Sequence, residues 1–538
     1  MRYDEEQALN TLQALELMDL SRALETSMYE DESILSPDSS VPPIQYEERE
    51  EEDDEEEIND NWSRDDNNVA APKFHSFSGK TVSASIAQSP LEFFQLFLSN
   101  QLIQQFTQYT NHYAHNCYND VEWSTTPEEL YCFIGVHIYM GICDLPQWHM
   151  YWSEEYNQPF VSHTFSQHRF EQLLKYFQVT QYVPPVHPID PLLRVRSFVT
   201  TLNHLFPQCY APSQHLTIDE AMVAFKGRSS IKQYIPSKPH KWGYKIYCLA
   251  SDNYLLHFEI YEGKEINPSV YGPVHDLVLR LTLPYQHQGF IVFTDQWFTS
   301  LDLLSSLRER GIRLCGSINR RRKGLPSINE NTIKQLQRGD SIKRTQEDMT
   351  LIVWKDQKVI RLLFNHVSSN KSSSLQRWDE SHEQISLSCP TAIHDYFYRS
   401  RSIDVIGQLY YSYRIGRKSK RSYSRLVWWC IDMCIINAYI LYKIQHPSVT
   451  QLQYRQQLMH ELVQLFASNR NAIQVSRGAN VSVALAKDHY PASSDTERDC
   501  IQCSNRHSGY RKQSRIVCHE CNVHLCVGKC FSLYHTRV

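Results

Sequence analysis

The chain has 538 residues, of which 41% are hydrophobic and 12% aromatic, so it can bury a sizeable core and is expected to fold into roughly three or four domains. Residues 1–66 carry 23 Asp and Glu against 4 Lys and Arg, a net charge of −19, while the rest of the chain carries +13. The opening residues lack the positive segment and apolar core of a secretory signal, which argues against an exported protein and predicts a soluble intracellular one. A basic body is typical of proteins that bind a polyanion, although a merely solvated basic surface gives the same count.

The first segment, residues 1–85, is predicted to be an acidic disordered tail. It contains the run EEREEEDDEEE at Glu47–Glu57 and a stretch rich in Ser and Pro before it. Such a composition buries too little apolar surface to offset the conformational entropy lost on ordering. The tail is expected to solubilise the protein, to compete for the basic body, or to contact chromatin or protein partners.

Two different patterns of apolar residues follow the tail, one helical and one strand-like. Up to about residue 212, apolar residues recur three and four positions apart, as in LEFFQLFLSNQLIQQFTQYTNHYA and TPEELYCFIGVHIYMGI, which predicts a helical domain. The sequence then becomes strand-like: KWGYKIYCLASDNYLLHFEIYEG predicts two strands joined by a turn, and GFIVFTD predicts a buried strand. The helix predicted next, SLDLLSSLRERG, ends in a glycine.

Two aspartates stand at the ends of predicted strands. Asp219 ends the short apolar run HLTID, and Asp295 comes directly after GFIVFT. Residues of α/β active sites gather at strand ends, and hard cations such as Mg²⁺ prefer carboxylate oxygens. Two or three aspartates that meet there could hold a pair of ions about 4 Å apart for phosphoryl transfer. A single aspartate at a strand end also fits a cap or turn residue.

The later segments contain both the strand-like and the helical pattern. Residues 326–391 contain two short predicted strands, MTLIVW and KVIRLLF, and helices return after about residue 404. The longest apolar stretch, Leu426–Tyr442, is a little short for a membrane span and contains Asp432 and Asn437. It is therefore predicted to be a buried helix rather than a membrane helix.

Cysteines cluster near the end of the chain. Six of the 15 lie between Cys500 and Cys530, and in a reducing compartment this indicates metal rather than disulfides. Tetrahedral Zn²⁺ takes four ligands, so a set of seven predicts two structural zinc ions, with His507 or His524 as the eighth ligand. A protein-binding zinc module of the RING or PHD type and a chance cluster are the competing interpretations. The seven predicted ligands are Cys500, Cys503, Cys518, Cys521, Cys526, Cys530 and His535.

Positive charge is interleaved with aromatic or small residues in NRRRKG, at Asn319–Gly324, and in YSYRIGRKSKRSYSR, at Tyr411–Arg425. Such clusters are typical of phosphate-binding surfaces or nuclear-localisation signals, and also of plain solvated faces.

Three blocks, in order, resemble the piggyBac family of DNA transposases. The first is LTIDEAMVAFKGRSSIKQYIPSKPHKWGYKIYCLAS, and the second is FTDQWFTSLDLLSSLRERGIRLCGSINRRRKGLP. The third is RSIDVIGQLYYSYRIGRKSKRSYSRLVWWCIDMCIINAYILYK. The resemblance extends over residues 90–538, and three ordered blocks are more specific than any single motif.

The resemblance implies an α/β RNase H-like catalytic core with an insertion domain, flanked by a split α-helical DNA-binding and dimerisation domain and followed by a small C-terminal zinc-binding domain. The boundaries are expected at 1–85 for the tail, 86–212 and 414–480 for the helical domain, 213–325 and 392–413 for the core, 326–391 for the insertion, 481–496 for a linker and 497–538 for the zinc domain.

By motif match, Asp219, Asp295 and Asp404 take the three catalytic positions and would bind Mg²⁺ or Mn²⁺. The implied chemistry is nicking of double-stranded DNA at transposon ends, hairpin formation and joining at TTAA, by a homodimer in the nucleus without a membrane partner. The expected DNA contacts are Lys226, Arg228, Lys238, Lys241, Lys245, Arg320, Arg321, Arg322, Lys323, Arg417, Lys418, Arg511 and Lys512.

The chain departs from the family pattern at several positions. Arg401 and Ser402 stand where the family has two glycines, and Gly407 stands where it has a second aspartate. Gln296 replaces an asparagine. A domesticated DNA-binding protein that cuts poorly, and a zinc-dependent protein adaptor, therefore stay open beside an active transposase.

Overall fold

The structure is a computed structural model that describes residues 61–538 except 68, 184–189, 237, 239, 264–267, 379–383, 417–420, 476–489, 505–510, 520 and 536–538. The predictions for residues 1–60, for Arg417 and Lys418, and for His507 fall outside the described residues.

Helices make up most of the chain before and after a central sheet. Local sequence explains where several begin: Ser89 and Glu92 form a capping box, and Ser99 accepts a hydrogen bond from the N–H of Leu102. The α-helices are Val82–Ile86, Pro90–Gln95, Asn100–Tyr118, Pro127–Ile142, Pro159–Ser162, Gln167–Tyr176, Arg196–Cys209, Pro273–Thr282, Leu301–Glu309, Glu330–Gln335, Thr391–Arg399, Ser402–Ser412, Ser422–Gln445, Gln451–Val475 and Lys529–His535, with 3₁₀ turns at Trp148–Trp152 and Leu283–Tyr285.

Helices from the two ends of the chain pack together. Pro127–Ile142 is buried over most of its surface and lies against Gln451–Val475. A Cβ at Gly135 would come within 3.1 Å of Leu462 Cβ and 3.3 Å of Met459 O, so this close approach of the helices depends on glycine. Segments far apart in sequence thereby share one helical core.

The apolar stretch predicted to be a buried helix lies within Ser422–Gln445. Its polar residues are fully buried and paired: Asp432 Oδ1 lies 3.0 Å from Arg455 Nη2, and Asn437 makes two 2.9 Å hydrogen bonds with the backbone of Leu255. Among the described residues this helix alone is long and apolar enough to cross a membrane, and 83% of its apolar window is buried inside the structure. The prediction of a buried helix is confirmed.

A nine-stranded mixed sheet lies between the helical segments, and three two-stranded sheets accompany it. The strands are β1 Gly79–Lys80, β2 Tyr210–Ala211, β3 His215–Ala224, β4 Gln233–Tyr234, β5 Trp242–Ser251, β6 Tyr254–Ile260, β7 Ile291–Thr294, β8 Arg313–Ser317, β9 Ser341–Gln346, β10 Met349–Lys355, β11 Val359–Phe364, β12 Ser372–Trp378, β13 Gln384–Pro390, β14 Pro491–Asp499 and β15 Gln513–Cys518.

The order in the large sheet is β4-β5-β3-β7-β8-β11-β10-β9, and β6 also pairs with β5. β3, β7 and β8 run parallel, whereas β5 is antiparallel to β3 and to β6. All four residues of β7 are buried, as a central parallel strand with covered faces requires. The carboxyl end of β7 therefore lies beside the middle of β3, which continues beyond it to Ala224.

The two strands predicted within 326–391 are present as β10 and β11. They do not form a sheet of their own: β11 pairs with β8, and β9 and β10 continue outward from it. β12 and β13 form a separate hairpin, which precedes the helices Thr391–Arg399 and Ser402–Ser412.

Residues 61–85 fall within the predicted acidic tail, yet they pack against the sheet. Ser63 exchanges backbone hydrogen bonds of 2.8 and 2.9 Å with Thr345 on the edge strand β9. Trp62 Nε1 donates to the carbonyl of Gly324 at 3.3 Å. The prediction of disorder is therefore wrong for this part, because its aromatic side chains and backbone groups pair with an open sheet edge.

The C-terminal segment builds a small separate core. β14 and β15 form an antiparallel pair, and the helix Lys529–His535 follows. The buried residues of this core are Cys500, Cys518, Leu525 and Phe531, so two of its four buried side chains are predicted metal ligands.

Candidate metal centre

The sheet register brings two of the predicted aspartates together. Ile218 of β3 is paired with Thr294 of β7 in a parallel register, and β7 ends there. Asp295 therefore lies just beyond the carboxyl end of β7, beside Asp219, which is in the middle of β3. The expectation that Asp219 ends a strand is wrong, because β3 continues to Ala224 through its pairing with β5. Carboxylate oxygens of Asp219, Asp295 and Glu220 all lie within 4.8 Å of one another.

Glu220 is a third member that the sequence interpretation missed. Neighbouring residues of a regular strand point to opposite faces, which discounts a second ligand directly after Asp219. The burial of β3 does not alternate, since Leu216–Ile218 are all buried and Asp219–Ala221 are all half-buried. One oxygen of Glu220, Oε2, is buried and has no hydrogen-bond partner among the described residues.

Lys238 supplies the positive charge nearest to this cluster. Its Nζ lies 3.4 Å from Glu220 Oε1 and donates to the Glu220 carbonyl at 3.2 Å. Burial alone would lower the pKa of Lys238, but the carboxylates of Glu220, Asp219 and Asp404 raise it overall. The ammonium group is therefore held charged beside the carboxylates.

Crowding disfavours the charged form of the aspartates. Burial, together with the negative charge of Glu220, raises the pKa of Asp219 to about 8, against the opposing charge of Lys238. Burial and Glu220 also raise the pKa of Asp295, although the N–H groups of Trp297 and Phe298 lower it. Closely spaced carboxylates that repel one another are stabilised by a bound cation.

Asp404 lies in the first turn of the helix Ser402–Ser412 and is exposed. It is not among the three carboxylates that meet within 4.8 Å. Although its side chain reaches solvent, the surrounding protein desolvates the Asp404 carboxylate and raises its pKa; Lys238 and Arg401 oppose this, and Glu220 adds to the increase. The structure thus places Asp404 within electrostatic reach of the cluster but outside its inner group.

The departures beside Asp404 have distinct surroundings. Ser402 is buried, and its Oγ accepts a 3.4 Å hydrogen bond from the N–H of Asn253, while Arg401 is exposed. A Cβ at Gly407 would meet no heavy atom within 4 Å. A side chain at Gly407 therefore has room.

The cluster fits a hard divalent cation. Mg²⁺ and Mn²⁺ prefer carboxylate oxygens and keep several positions for water and phosphate. Three carboxylates with a buried, unpartnered oxygen supply that donor set. Soft ligands such as cysteine are not part of the group.

The predicted DNA contacts of the core differ in their exposure. Lys238 and Lys245 are half-buried beside the carboxylates, and Arg322 Nη2 donates to the carbonyls of Gln296 at 3.3 Å and Trp297 at 2.8 Å. The other predicted contacts near the core are exposed, and these are Lys226, Arg228, Lys241, Arg320, Arg321 and Lys323.

The C-terminal cysteines separate into two sets. Sulfur atoms of Cys500, Cys503, Cys526 and Cys530 all lie within 4.8 Å of one another. Burial opposes ionisation of Cys500, but N–H groups that include that of Cys526 lower its pKa to about 7. Burial and the neighbouring cysteines raise the pKa values of Cys526 and Cys530. Four sulfurs at this spacing fit a closed tetrahedral zinc site, in which the cation would stabilise them as thiolates.

The other predicted zinc ligands are only partly described. The N–H of Cys521 points to Cys518 Sγ at 3.5 Å, as expected of a pair with ligand spacing. Nδ1 of His524 lies 2.8 Å from the Ser514 carbonyl, and His524 is not in the four-sulfur group. The side chain of His535 lies outside the described residues, so the second ligand set stays a prediction. Arg511 and Lys512 of the same domain are exposed, and Arg511 Nε pairs with Asp499 at 2.6 Å.

Comparisons with known proteins give the same family throughout. The family described as "Transposase IS4" matches residues 89–439, and that described as "DDE_Tnp_1-like zinc finger" matches 489–536. The human "PiggyBac transposable element-derived protein 3" is 25% identical over 469 residues, which cover 84% of this chain and 77% of that protein. The human "PiggyBac transposable element-derived protein 2" is 26% identical over 475 residues, which cover 84% and 76%.

A solved structure shows the same fold. It is the "Cryo-EM structure of piggyBac transposase synaptic complex with hairpin DNA", with a TM-score of 0.63 and 21% identity over 84% of this chain and 98% of that one. The predicted fold class, an α/β core with flanking helices and a C-terminal cysteine-rich zinc-finger domain, is confirmed. Since the first family match also covers more than half of the sequence, this chain belongs to the piggyBac family of DNA transposases.

Proposed function

We propose that the chain is a metal-dependent DNA transposase that nicks transposon ends, forms hairpins and joins the ends at TTAA. The observation that carries the proposal is the meeting of the Asp219, Glu220 and Asp295 carboxylates within 4.8 Å, where β7 ends beside the middle of the parallel strand β3. The similar solved structure is a synaptic complex with hairpin DNA, which supports the same substrate class here by analogy.

In this mechanism Asp219, Glu220 and Asp295 would hold Mg²⁺ or Mn²⁺, and Asp404 would add a carboxylate from its helix. When bound, such ions activate a water or a DNA 3′-OH and stabilise the leaving oxygen. Lys238, paired with Glu220 at 3.4 Å, fixes that carboxylate and limits repulsion within the cluster. Because water and 3′-OH groups attack, the protein needs no covalent nucleophile.

The DNA backbone is expected to follow the exposed basic residues around the cluster. Lys and Arg bind phosphates through charge and release counterions, which gives affinity without sequence readout. We assign recognition of the transposon-end sequence to the helical domain and the zinc domain. Arg511 and Lys512 of the zinc domain are exposed. A homodimer that works in the nucleus completes the proposal.

A second candidate function is a domesticated DNA-binding protein. Gly407 has no carboxylate where the family has one, and Asp404 stands outside the inner group. Two of the similar human proteins are named as derived from transposable elements. These observations favour retained DNA binding with weak or absent cutting. A zinc-dependent protein adaptor is the third possibility, and it predicts no salt-dependent DNA affinity.

The deciding experiment measures nicking of a TTAA-flanked candidate end by the full chain, with Mg²⁺ and with EDTA. We expect metal-dependent nicking by wild type and a loss on the order of 10³-fold in Asp295→Asn. Gly407→Asp, which has room for its side chain, is tested in parallel.

Binding of the same DNA by all three proteins is the control. If wild type is inert and Gly407→Asp cuts, the domesticated function replaces the transposase. DNA binding without any nicking leaves a binding protein, and the absence of both supports the adaptor.

A further inference from the structure

Trp297 is an unusual aromatic residue for its position. It follows Asp295 by two residues and is 45% exposed, whereas its neighbour Phe298 is 2% exposed. No described residue accepts a hydrogen bond from its indole N–H. A half-exposed indole beside the proposed metal site is available to a ligand, and aromatic side chains of this kind stack on nucleobases in proteins that bind single-stranded DNA.

The exposure of Trp297 does not come from a loose backbone. Its N–H donates to Asp295 Oδ1 at 2.9 Å, and its carbonyl accepts from Arg322 Nη2 at 2.8 Å. Thr299 Oγ1 donates a 2.7 Å hydrogen bond to the Asp295 carbonyl, which closes the turn. The indole is thus presented from a fixed turn that is tied to a proposed metal ligand.

One part of the indole is already occupied by a cation. Lys245 Nζ lies 4.6 Å from the Trp297 ring centroid and 5.0 Å from that of Tyr247. A plain packing role would use Trp297 to cover the stem of Lys245, and it would not require the remaining exposure. The side chain remains 45% exposed, and an aromatic face open to solvent is a surface on which a nucleobase can stack.

We infer that Trp297 stacks on an unpaired nucleobase of the DNA strand next to the phosphate that is cut. The inference rests on the proposed function, because that function puts DNA at Asp219 and Asp295. Bases inside a duplex have both faces covered by neighbouring bases, so a fixed indole can stack only on a base that is unpaired, terminal or extruded. Trp297 is therefore a positioning residue that selects melted DNA at the cleavage point.

The test compares two DNA probes of equal length and charge, one fully paired and one with a few unpaired nucleotides at the cleavage point. Affinities of the full chain are measured without divalent metal for wild type, Trp297→Ala and Trp297→Phe. Loss of one stacked base weakens binding by about 5- to 150-fold. We expect this loss in Trp297→Ala for the unpaired probe only, and most of the affinity to return in Trp297→Phe.

Phe77→Ala is the matched control. Phe77 is 70% exposed and lies next to β1, which pairs with β2 near the opposite end of β3, so its removal should change neither affinity. As a second readout, 2-aminopurine at the unpaired position should be quenched by wild type and brighter with Trp297→Ala.

Equal affinities of wild type and Trp297→Ala for both probes, or an equal loss on both, would overturn the inference while leaving the proposed function intact. If wild type binds neither probe in a salt-dependent way, the proposed function fails, and the inference fails with it.

Discussion

The two ligand clusters of this chain are built in opposite ways. The carboxylate cluster takes Asp219 and Asp295 from two strands of a nine-stranded sheet, so its geometry is fixed by backbone pairing. The cysteine cluster takes all four sulfurs from residues 500–530, and its small core consists largely of the ligands themselves. The sheet fixes the geometry of the carboxylate cluster, whereas metal binding by the cysteine cluster is expected to stabilise the fold around it.

This difference changes what each metal does for stability. A site imposed by a large sheet keeps its negative charges together even without a cation, which costs folding free energy. A site with few other buried side chains gains its folding free energy from the metal. Removing zinc should therefore unfold the region around the cysteine cluster. Removing a negative charge from the carboxylate cluster should stabilise the metal-free protein.

The largest expected effect is the response to a strong zinc chelator. Structural zinc contributes about 10–16 kcal/mol in zinc-finger peptides, more than a core of four residues can replace. Hydrogen exchange of the full chain should show loss of protection in β14 and β15 after chelation. Protection of β3 and β7 should be unchanged, and equal loss in both regions would refute the contrast.

A smaller effect is expected when Glu220 loses its charge. Glu220→Gln should weaken Mn²⁺ binding by about 10-fold, because one oxygen ligand becomes a poorer donor and the pairing with Lys238 is altered. Electron paramagnetic resonance of bound Mn²⁺ measures this affinity without DNA cleavage.

Glu171→Gln, at an exposed glutamate of the helix Gln167–Tyr176, is the matched control and should bind Mn²⁺ as wild type does. Unchanged affinity in Glu220→Gln would show that this residue serves only as the partner of Lys238.

Removing charge at Asp219 should stabilise the metal-free protein. Burial and Glu220 raise the pKa of Asp219 to about 8, above the unfolded value near 4, so the folded state holds a proton that the unfolded state releases. The resulting stability is lost as the pH rises from about 4 through 8. Asp219→Asn should therefore be more stable than wild type by on the order of 1 kcal/mol at pH 8, and thermal unfolding in EDTA at pH 5 and pH 8 should show the difference shrinking at pH 5.

Much of this contrast could be predicted from sequence, for identifiable reasons. Asp219 and Asp295 end apolar runs, and the cysteine spacing is local, so both signals lie within a few residues. The continuous apolar residues of the helix Ser422–Gln445 predict its burial.

Other features depend on tertiary pairing that no local pattern records. Glu220 joins the cluster although strand alternation directs it elsewhere. β9, β10 and β11 extend the core sheet rather than forming one of their own. Residues 61–85 follow an acidic run, yet Ser63 pairs with an edge strand more than 200 residues away. The exposure of Trp297 follows from its turn geometry.

The smallest expected effect on stability is that of Gly407→Asp, which tests whether the carboxylate cluster tolerates one more negative charge. A Cβ at this position meets no heavy atom within 4 Å, and a helix gains from losing glycine, but the new charge joins Asp404 and Glu220. We expect these terms to offset one another, so that the free energy of unfolding changes by less than about 0.5 kcal/mol. Mn²⁺ affinity should nevertheless rise, because a cation at the cluster gains an oxygen ligand from the helix. A large destabilisation would mean that the helix Ser402–Ser412 cannot accept another carboxylate beside the sheet, and the missing aspartate would then reflect a rearranged site rather than a single lost ligand.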